Sequence, residues 1–297
     1  MISSPTAISM MTGVFHFMAI PFGPILAGRK LGLPPKTVNQ EQRPRKPCGY
    51  AIVFALAASL TAPLDRAGAE NAENRFAVLV FTKTTAFRHD SIPDGIAAIE
   101  ALGAKHGFAV DNTEDAARFS DSDLARYKAV IFLSTTGDIL EPAQKVAFER
   151  YIRSGGGFVG IHSASDTEYQ WPWYGRLVGT WFANHPLIQH ATVHIVSPDH
   201  PSTEALPELW ERTDEWYNFR TNPRGAVQVL ATLDEATYSG GAMGADHPIA
   251  WCHKVDGGRS WYTGMGHTKE SYAEPLFRLH LLGGIESAAG VAGSCKG

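Results

Sequence analysis

The sequence predicts an α/β fold built around a mainly parallel β-sheet. Three apolar runs of strand length, at residues 76–81, 129–133 and 158–161, are each bounded by polar or glycine residues. Segments whose apolar residues recur at helical spacing lie between these runs. Strands that alternate with helices form βαβ units, in which helices cover both faces of a parallel sheet.

The first helix is predicted to begin at Asp90 or Ser91, either of which can cap it, with Pro93 in its first turn. Apolar residues continue at helical spacing to Leu102, and Gly103 and Gly107 follow as ending signals. The other elements predicted before residue 166 are strands at 108–111, 129–133 and 158–161, a short helix or turn at 122–127 and a helix at 141–153.

The composition changes beyond residue 166, since all seven tryptophans lie between residues 171 and 261. Residues 247–253 and 259–263 are predicted to be strands that pair across the turn at 256–258. Two further strands, at 191–196 and 227–233, and a closing helix at 272–282 complete the predicted elements.

The first 69 residues do not resemble a folded domain. A basic segment at 43–46 precedes an apolar run at 50–60, and a small-residue cleavage site ends at Ala69. This pattern predicts a Sec signal peptide cleaved after Ala69, a periplasmic or extracellular location and a mature domain at 70–297.

The signal pattern begins well inside the chain. We therefore interpret residues 1–42 as an N-terminal extension, with the translation start near residue 43. The alternative is a membrane anchor at 10–28, which Pro21 and Pro24 disfavour.

The charge distribution argues against a nucleic-acid partner. Residues 1–69 hold seven of the 26 Lys and Arg but two of the 30 Asp and Glu. The remaining chain therefore carries 19 basic and 28 acidic side chains, whereas nucleic-acid binding needs a basic face.

The three cysteines, Cys48, Cys252 and Cys295, show no metal-like spacing. Cys48 would be lost with the signal peptide. The other two could pair in an oxidising compartment, which the sequence does not decide. Cys252 lies in an apolar strand and is expected to pack as a small hydrophobic residue.

Polar residues follow two of the predicted strands directly and indicate a site. Residues 162–166 come after the strand at 158–161, and His267 follows the strand at 259–263, with Glu270 one turn later. In open α/β sheets, ligands bind outside the carboxyl ends of the strands. These two strand ends are therefore expected to meet at a ligand site.

Six segments carry a resemblance to a known protein family. They are FRHDSI (87–92), GGGFVGIHSASD (155–166), WPWYGRLVG (171–179), TDEWYNF (213–219), GADHPIAW (244–251) and GMGHTKESY (264–272). In this order they resemble the ThuA-like family, named for trehalose utilisation, over about residues 75–285. The resemblance implies a flavodoxin-like, doubly wound, mainly parallel sheet similar to that of class I glutamine amidotransferases. It also implies a role in carbohydrate metabolism.

The similarity to amidotransferases implies two positions in the site. Those enzymes carry a nucleophilic cysteine at a strand-to-helix elbow, where His162 stands in this sequence, and a later histidine that resembles His267. Glu270 loosely matches their acidic partner. Because a histidine occupies the elbow, thiol-dependent glutamine hydrolysis is not expected.

His162 and His267 are expected to converge, and two neutral imidazoles with a carboxylate suit a divalent metal such as zinc. Glu215 is preferred as the carboxylate, with Asp166 or Asp246 as alternatives. A metal would polarise a carbonyl or activate water, and without it the same groups could act as general acid and base. The alternative is a pair of hydrogen-bonded histidines at the base of a binding cleft.

Further residues are predicted to contact a substrate. Arg88 and His89 precede the first helix, whose N-terminus favours anions, although Arg88 could instead form a surface ion pair. Asp246 and His247 precede a strand and could enter the same cleft, whereas His185, before Pro186, is a weak candidate. The remaining candidates are Asp166 and an aromatic set, one or two members of which could form a sugar platform in the cleft while the others belong to the core. The set is Tyr169, Trp171, Trp173, Tyr174 and Trp216.

These residues together predict an exported enzyme that hydrolyses, eliminates or isomerises a sugar or keto-sugar derivative. One alternative is a carbohydrate-binding protein with a degenerate amidotransferase site. Another is a subunit that docks on an exported sugar oxidoreductase. The expected small-molecule partner is a carbohydrate.

Overall fold

The computed structural model describes residues 75–293 and Cys295. The predicted N-terminal extension, signal peptide and cleavage site, at residues 1–69, lie outside this part of the chain. Of the helices within the described residues, none combines the length and apolar character needed to cross a membrane.

The described residues form eleven strands and six α-helices. The strands are β1 (Ala77–Phe81), β2 (Ala109–Thr113), β3 (Ala129–Leu133), β4 (Gly157–Ile161), β5 (Phe182–Asn184), β6 (Gln189–Ile195), β7 (Leu209–Asp214), β8 (Asn218–Phe219), β9 (Gln228–Leu233), β10 (His247–Val255) and β11 (Gly258–Thr263). The helices are α1 (Ile92–His106), α2 (Asp121–Leu124), α3 (Pro142–Arg153), α4 (Pro172–Val178), α5 (Lys269–Ala273) and α6 (Pro275–Ala289).

Nine of these strands form a central sheet in the order β2-β1-β3-β4-β11-β10-β9-β6-β7. The first five strands in this order, β2, β1, β3, β4 and β11, are parallel to one another. Numbered along the chain, these five give the 2-1-3-4-5 order of flavodoxin-like folds. The other four strands continue the sheet through antiparallel pairs. The predicted α/β fold is therefore confirmed, and an antiparallel extension is joined to its parallel half.

Helices cover both faces of the parallel half. Phe158 in β4 packs on Tyr174 of α4, with 5.9 Å between the ring centroids. Trp261 in β11 pairs in register with the next β4 residue, Val159, and therefore faces the opposite side, where it packs on His280 of α6. Because both faces are buried, these strands are continuous apolar runs rather than alternating ones.

Two predicted helix ends differ from the structure. Ser91 is the N-cap residue of α1, but its buried hydroxyl makes no hydrogen bond, and Asp90 instead pairs with Lys269 at 3.0 Å. The predicted closing helix is divided, because α5 ends at Ala273 and Pro275 begins α6. Proline suits the first turn of a helix but has no N–H with which to continue a preceding one.

A disulfide joins Cys252 in β10 to Cys295, which follows α6. Cys252 is fully buried in the hydrophobic core, as expected, and it also forms the pairing that the sequence left open. The two cysteines are 43 residues apart, and closing a loop of this size restricts the unfolded chain. The bond fastens Cys295 to the sheet.

Candidate functional site

Four strand ends bring the candidate site together. His162 directly follows β4, and Glu215 directly follows β7. His89 lies in the loop after β1, and His267 lies in the loop after β11. One donor atom from each of these four side chains lies within 4.8 Å of the others. The convergence of His162 and His267 expected from the sequence is therefore present.

The backbone at His162 forms the elbow that the resemblance implied. Its φ is 52°, in the left-handed region that residues other than glycine seldom adopt. The hydroxyl of Tyr262 donates a 2.8 Å hydrogen bond to the carbonyl of His162, whose side chain is fully buried. Strained backbone of this kind persists where the surrounding structure holds it, and it is typical of functional sites.

One hydrogen bond fixes the tautomer of the neutral His162 ring. Its Nδ1 lies 3.0 Å from the backbone carbonyl oxygen of Gly264. A carbonyl oxygen can only accept, so Nδ1 carries a proton and donates it. Nε2 of the neutral ring therefore presents a lone pair, 3.1 Å from Nδ1 of His267 and 3.4 Å from Oε2 of Glu215.

Glu215 and His267 form a close pair, with 3.1 Å between Oε2 and Nδ1. Burial alone would raise the pKa of Glu215, but its contacts with the His162 and His267 imidazoles outweigh this effect and hold that pKa below its ordinary value. Burial would lower the pKa of His267, but its hydrogen bond to Glu215 raises it overall. The carboxylate is thus ionised and favours a proton on His267.

His89 supplies a neutral imidazole beside this pair. Its ring packs edge-on against those of His162 and His267, with centroids 4.8 Å and 5.0 Å away. Burial, reinforced by the neighbouring His162 and His267 imidazoles, lowers the pKa of His89 to about 2. At neutral pH, His89 is therefore uncharged and can offer a lone pair or an N–H group.

A buried carboxylate ties two segments of the site together. Asp214 accepts hydrogen bonds from the backbone N–H groups of Gly266 at 2.8 Å and His267 at 3.0 Å. It also accepts one from the N–H of Glu215 at 3.0 Å, and the buried guanidinium of Arg212 lies 3.2 Å away. These contacts hold the end of β7 against the loop after β11.

A cavity of about 360 Å³ opens over the cluster. This volume lies near the lower end of the range for small-molecule sites, about 300–1,000 Å³. His162 is fully buried and does not line the cavity itself, but it contacts Glu215 and His267, which do. The walls combine imidazole, carboxylate and aromatic groups from Phe87, His89, Asp166, Phe182, His185, Glu215, Tyr217 and His267.

Asp166, which the sequence predicted to contact a substrate, lines this cavity. Burial raises its pKa, although the hydroxyl of Tyr169 donates a 2.6 Å hydrogen bond to it. The guanidinium of Arg220 lies over the Tyr169 ring, 4.0 Å from its centroid. Asp166 is therefore a second cavity carboxyl group whose environment differs from that of Glu215.

The three tryptophans predicted as a sugar platform lie in the core. Trp171 and Trp173 stack on each other with 5.0 Å between centroids. Their indole N–H groups donate to Glu149 and Asp256 respectively, away from the cluster. Trp216 is fully buried. The alternative reading of these residues as core aromatics is the one that fits the structure.

Arg88, Asp246 and His247 also lie apart from the cluster. Arg88 forms an exposed ion pair with Glu114 at 2.6 Å, which is the alternative left open by the sequence. Asp246 is held in another exposed ion pair at 2.5 Å. His247 is buried, and its Nε2 lies 2.8 Å from the carbonyl oxygen of Tyr217. Glu215, and not Asp246, supplies the carboxylate of the cluster.

Sequence reasoning did not select Phe87, Tyr217 or Asp214, and it ranked His185 low. Phe87 precedes Arg88 and Tyr217 follows Trp216. Their position next to predicted site residues is the sequence feature that could have identified them. Asp214 precedes Glu215, and two neighbouring acids look equivalent until long-range partners are known. His185 lies in a loop, so no helical or strand periodicity predicts which way its side chain points.

Comparison with known proteins gives one family. The family model for ThuA, described as trehalose utilisation, matches residues 77–288. None of the curated proteins compared with the chain matches it. The match therefore covers all four members of the cluster.

Solved structures show the same fold. A ThuA-like protein from Bacteroides uniformis is 25% identical, with a TM-score of 0.62 over 80% of this chain and 96% of that chain. A ThuA-like protein from Parabacteroides merdae is 20% identical, with a TM-score of 0.62 over 72% and 90%. The fold alone is shared with 31% of a beta-galactosidase from Bacillus circulans sp. alkalophilus, at 17% identity and a TM-score of 0.50 over 74% of this chain.

Proposed function

The chain belongs to the ThuA family, and we propose that it is an exported enzyme that acts on a sugar or keto-sugar derivative. In this proposal, His162, His267 and Glu215 hold a divalent metal such as zinc beside the cavity. The family's link to trehalose utilisation supports a carbohydrate-related role. The observation that carries the metal assignment is the hydrogen bond that fixes the tautomer of His162.

The donor set fits such a metal. Because Gly264 accepts the Nδ1 proton of His162, the Nε2 lone pair faces Glu215 and His267. Histidine ligands in metal sites usually donate their other ring N–H to a carbonyl or carboxylate in this way. Histidines with one carboxylate are a common ligand set of catalytic zinc, and metal binding would displace the proton on His267. When bound, the metal would polarise a carbonyl or lower the pKa of water.

The other polar cavity residues are suited to binding and proton transfer. His89 is uncharged near neutral pH, so it can coordinate or hydrogen-bond without adding positive charge. Burial raises the pKa of Asp166 toward neutral pH, which suits a general acid or base. Its hydrogen bond from Tyr169 fixes the orientation of the group.

Aromatic rings in the cavity support a sugar as the ligand. Phe87 is 64% exposed and packs edge-on against His89, with centroids 4.8 Å apart. Phe182 packs against Tyr217 with centroids 4.3 Å apart. Rings of this kind pack on the apolar faces of pyranoses, while the neighbouring imidazole and carboxyl groups can bond hydroxyls.

Two features support export. The segments at 43–46 and 50–60 form a signal-peptide pattern that lies outside the described residues. The disulfide between Cys252 and Cys295 is of a type that persists in oxidising compartments and is rare in the cytosol.

The metal assignment is tested on purified protein by elemental analysis, followed by removal of metal and titration with Zn²⁺. We expect one equivalent of metal in the wild type and its loss in His162→Ala. His190→Ala is the matched control, since His190 pairs with the exposed Glu211 on the neighbouring strand. Wild-type protein that takes up no Zn²⁺, Mn²⁺ or Co²⁺ would overturn the assignment.

The substrate class is tested by calorimetry with mono- and disaccharides and their keto derivatives. We expect Phe87→Ala to weaken binding of the best ligand, whereas Leu187→Ala, which removes a side chain 87% exposed, has no effect. Turnover by the metal-loaded protein that His162→Ala abolishes would establish the enzyme. Binding without turnover would instead favour the carbohydrate-binding alternative.

A further inference from the structure

The two oxygens of Glu215 have different partners. Oε2 faces His162 and His267, at 3.4 Å and 3.1 Å. Oε1 lies 3.0 Å from Nδ1 of His185. The torsion that orients a carboxylate has a broad minimum, so a contact to one oxygen decides where the other points.

The tautomer of His185 is also fixed. Its Nδ1 lies 2.8 Å from the carbonyl oxygen of Pro186, which can only accept. Nδ1 therefore carries a proton, which it shares between Pro186 and Oε1 of Glu215. The ring stacks on Tyr217 with an interplanar angle of 26°, so its orientation is restricted despite 42% exposure of the side chain.

We propose that His185 is a positioning residue that holds Oε1 of Glu215 and thereby directs Oε2 to the metal ligands. This inference rests on the proposed function, because the metal is what Oε2 would bind. Partners of this kind, which hold a ligand without touching the metal, change metal affinity about 10- to 100-fold when removed.

The contacts of His185 differ from those of the four cluster residues. His162 and Glu215 are buried, whereas His185 reaches the cavity from the loop between β5 and β6. That loop also carries Pro186, whose carbonyl anchors the imidazole. Removing the His185 ring would therefore release Glu215 while leaving the sheet and the three other imidazoles in place.

The experiment measures Zn²⁺ affinity by competition with a chelator for the wild type and for His185→Ala and His185→Asn. Asparagine places an N–H donor near the position of Nδ1, so it separates the hydrogen bond from the ring. We expect His185→Ala to weaken Zn²⁺ binding by about 10- to 100-fold and His185→Asn to restore most of the affinity. His190→Ala is the control for loss of a histidine from the same region.

Substitution with Co²⁺ supplies a second readout, because its visible absorption reports the ligand field. We expect a changed spectrum in His185→Ala and a wild-type spectrum in His185→Asn. If the wild type binds Zn²⁺ and His185→Ala binds it equally well with the same Co²⁺ spectrum, the role of His185 is overturned and the metal site stands. If the wild type binds neither metal, both proposals fall.

Discussion

The carboxylate of Asp214 accepts a hydrogen bond of 3.0 Å from the backbone N–H of His267, although 53 residues separate the two along the chain. The same carboxylate holds the N–H of Glu215 and pairs with the guanidinium of Arg212. One buried acid thus sets the distance between the carboxylate and the imidazole of the candidate site.

Replacing Asp214 by Asn should destabilise the fold and loosen the site. The change removes one of the two carboxylates that pair with the buried Arg212 guanidinium, the other being Glu274, and turns an amide toward backbone N–H groups. Breaking a buried ion pair costs about 3–5 kcal/mol. Because Glu274 still pairs with Arg212, we expect a loss toward the lower end of this range in the free energy of unfolding, measured by urea denaturation.

The control is Asp246→Asn, which breaks an exposed pair with Arg224. Exposed ion pairs contribute about 0–1 kcal/mol, so this variant should unfold almost as the wild type does. Equal stability of the Asp214 and Asp246 variants would contradict the role given to Asp214.

Acid should destabilise the metal-free protein partly through His89. In the unfolded chain this residue takes up a proton near its ordinary pKa of 6.5, whereas in the fold it stays neutral until about pH 2. Between these values the unfolded state binds more protons, so stability falls as the pH is lowered through this window. The slope for one such group reaches about 1.4 kcal/mol per pH unit.

We therefore expect the free energy of unfolding to fall less steeply in His89→Asn than in the wild type below about pH 6.5. Urea denaturation in the presence of a chelator, repeated at several pH values, measures both slopes. Parallel curves for the two proteins would show that His89 is not buried in its neutral form.

Replacing Gly266 by Ala should displace the loop that carries His267. Gly266 has a φ of 107°, and an added Cβ would lie 2.9 Å from the hydroxyl of Tyr272 and 3.1 Å from the ring of Phe277. Both the backbone and the packing oppose the methyl group. We expect a loss of stability together with weaker Zn²⁺ binding.

Gly107→Ala is the matched control, because Gly107 also has a positive φ, of 75°, but its Cβ would meet no atom within 4 Å. Left-handed backbone costs a residue other than glycine about 1–2 kcal/mol, and this variant should lose no more than that. It should also keep the Zn²⁺ affinity of the wild type. A Gly266 variant that behaves identically would argue against tight packing at the loop.

Removing the disulfide should lower stability without changing the site. Cys295→Ser breaks the link to Cys252, and native disulfides typically contribute about 2–4 kcal/mol. We expect this loss in urea denaturation under oxidising conditions, and dithiothreitol should bring the wild type to the level of the variant. Two thiols that react in the folded, non-reduced wild type would contradict the bond.

The parallel half of the sheet could be predicted because its strands are buried on both faces. That burial makes residues 76–81 and 129–133 continuous apolar runs, which composition alone reveals. The convergence of His162 with His267 followed from topology, since parallel strands end at one edge of a sheet. Both the strands and the convergence of the two histidines could be predicted without knowledge of side-chain contacts.

The aromatic walls of the cavity could not be predicted in the same way. Trp171 and Trp173 form a conspicuous cluster in the sequence, but they bury their rings and satisfy their N–H groups in the core. Phe87, which is exposed at the cavity, stands in a loop without periodicity. Long-range contacts, and not local pattern, decide which aromatic ring meets a ligand.

The site is assembled from residues at 89, 162, 215 and 267, each delivered by a different strand end. No contiguous piece of the polypeptide shorter than the span from β1 to the loop after β11 holds all of these groups. A partly folded or truncated chain therefore cannot bring all four side chains together into the site. Bound Zn²⁺ should consequently report completed folding, and its release during unfolding should coincide with loss of the whole sheet.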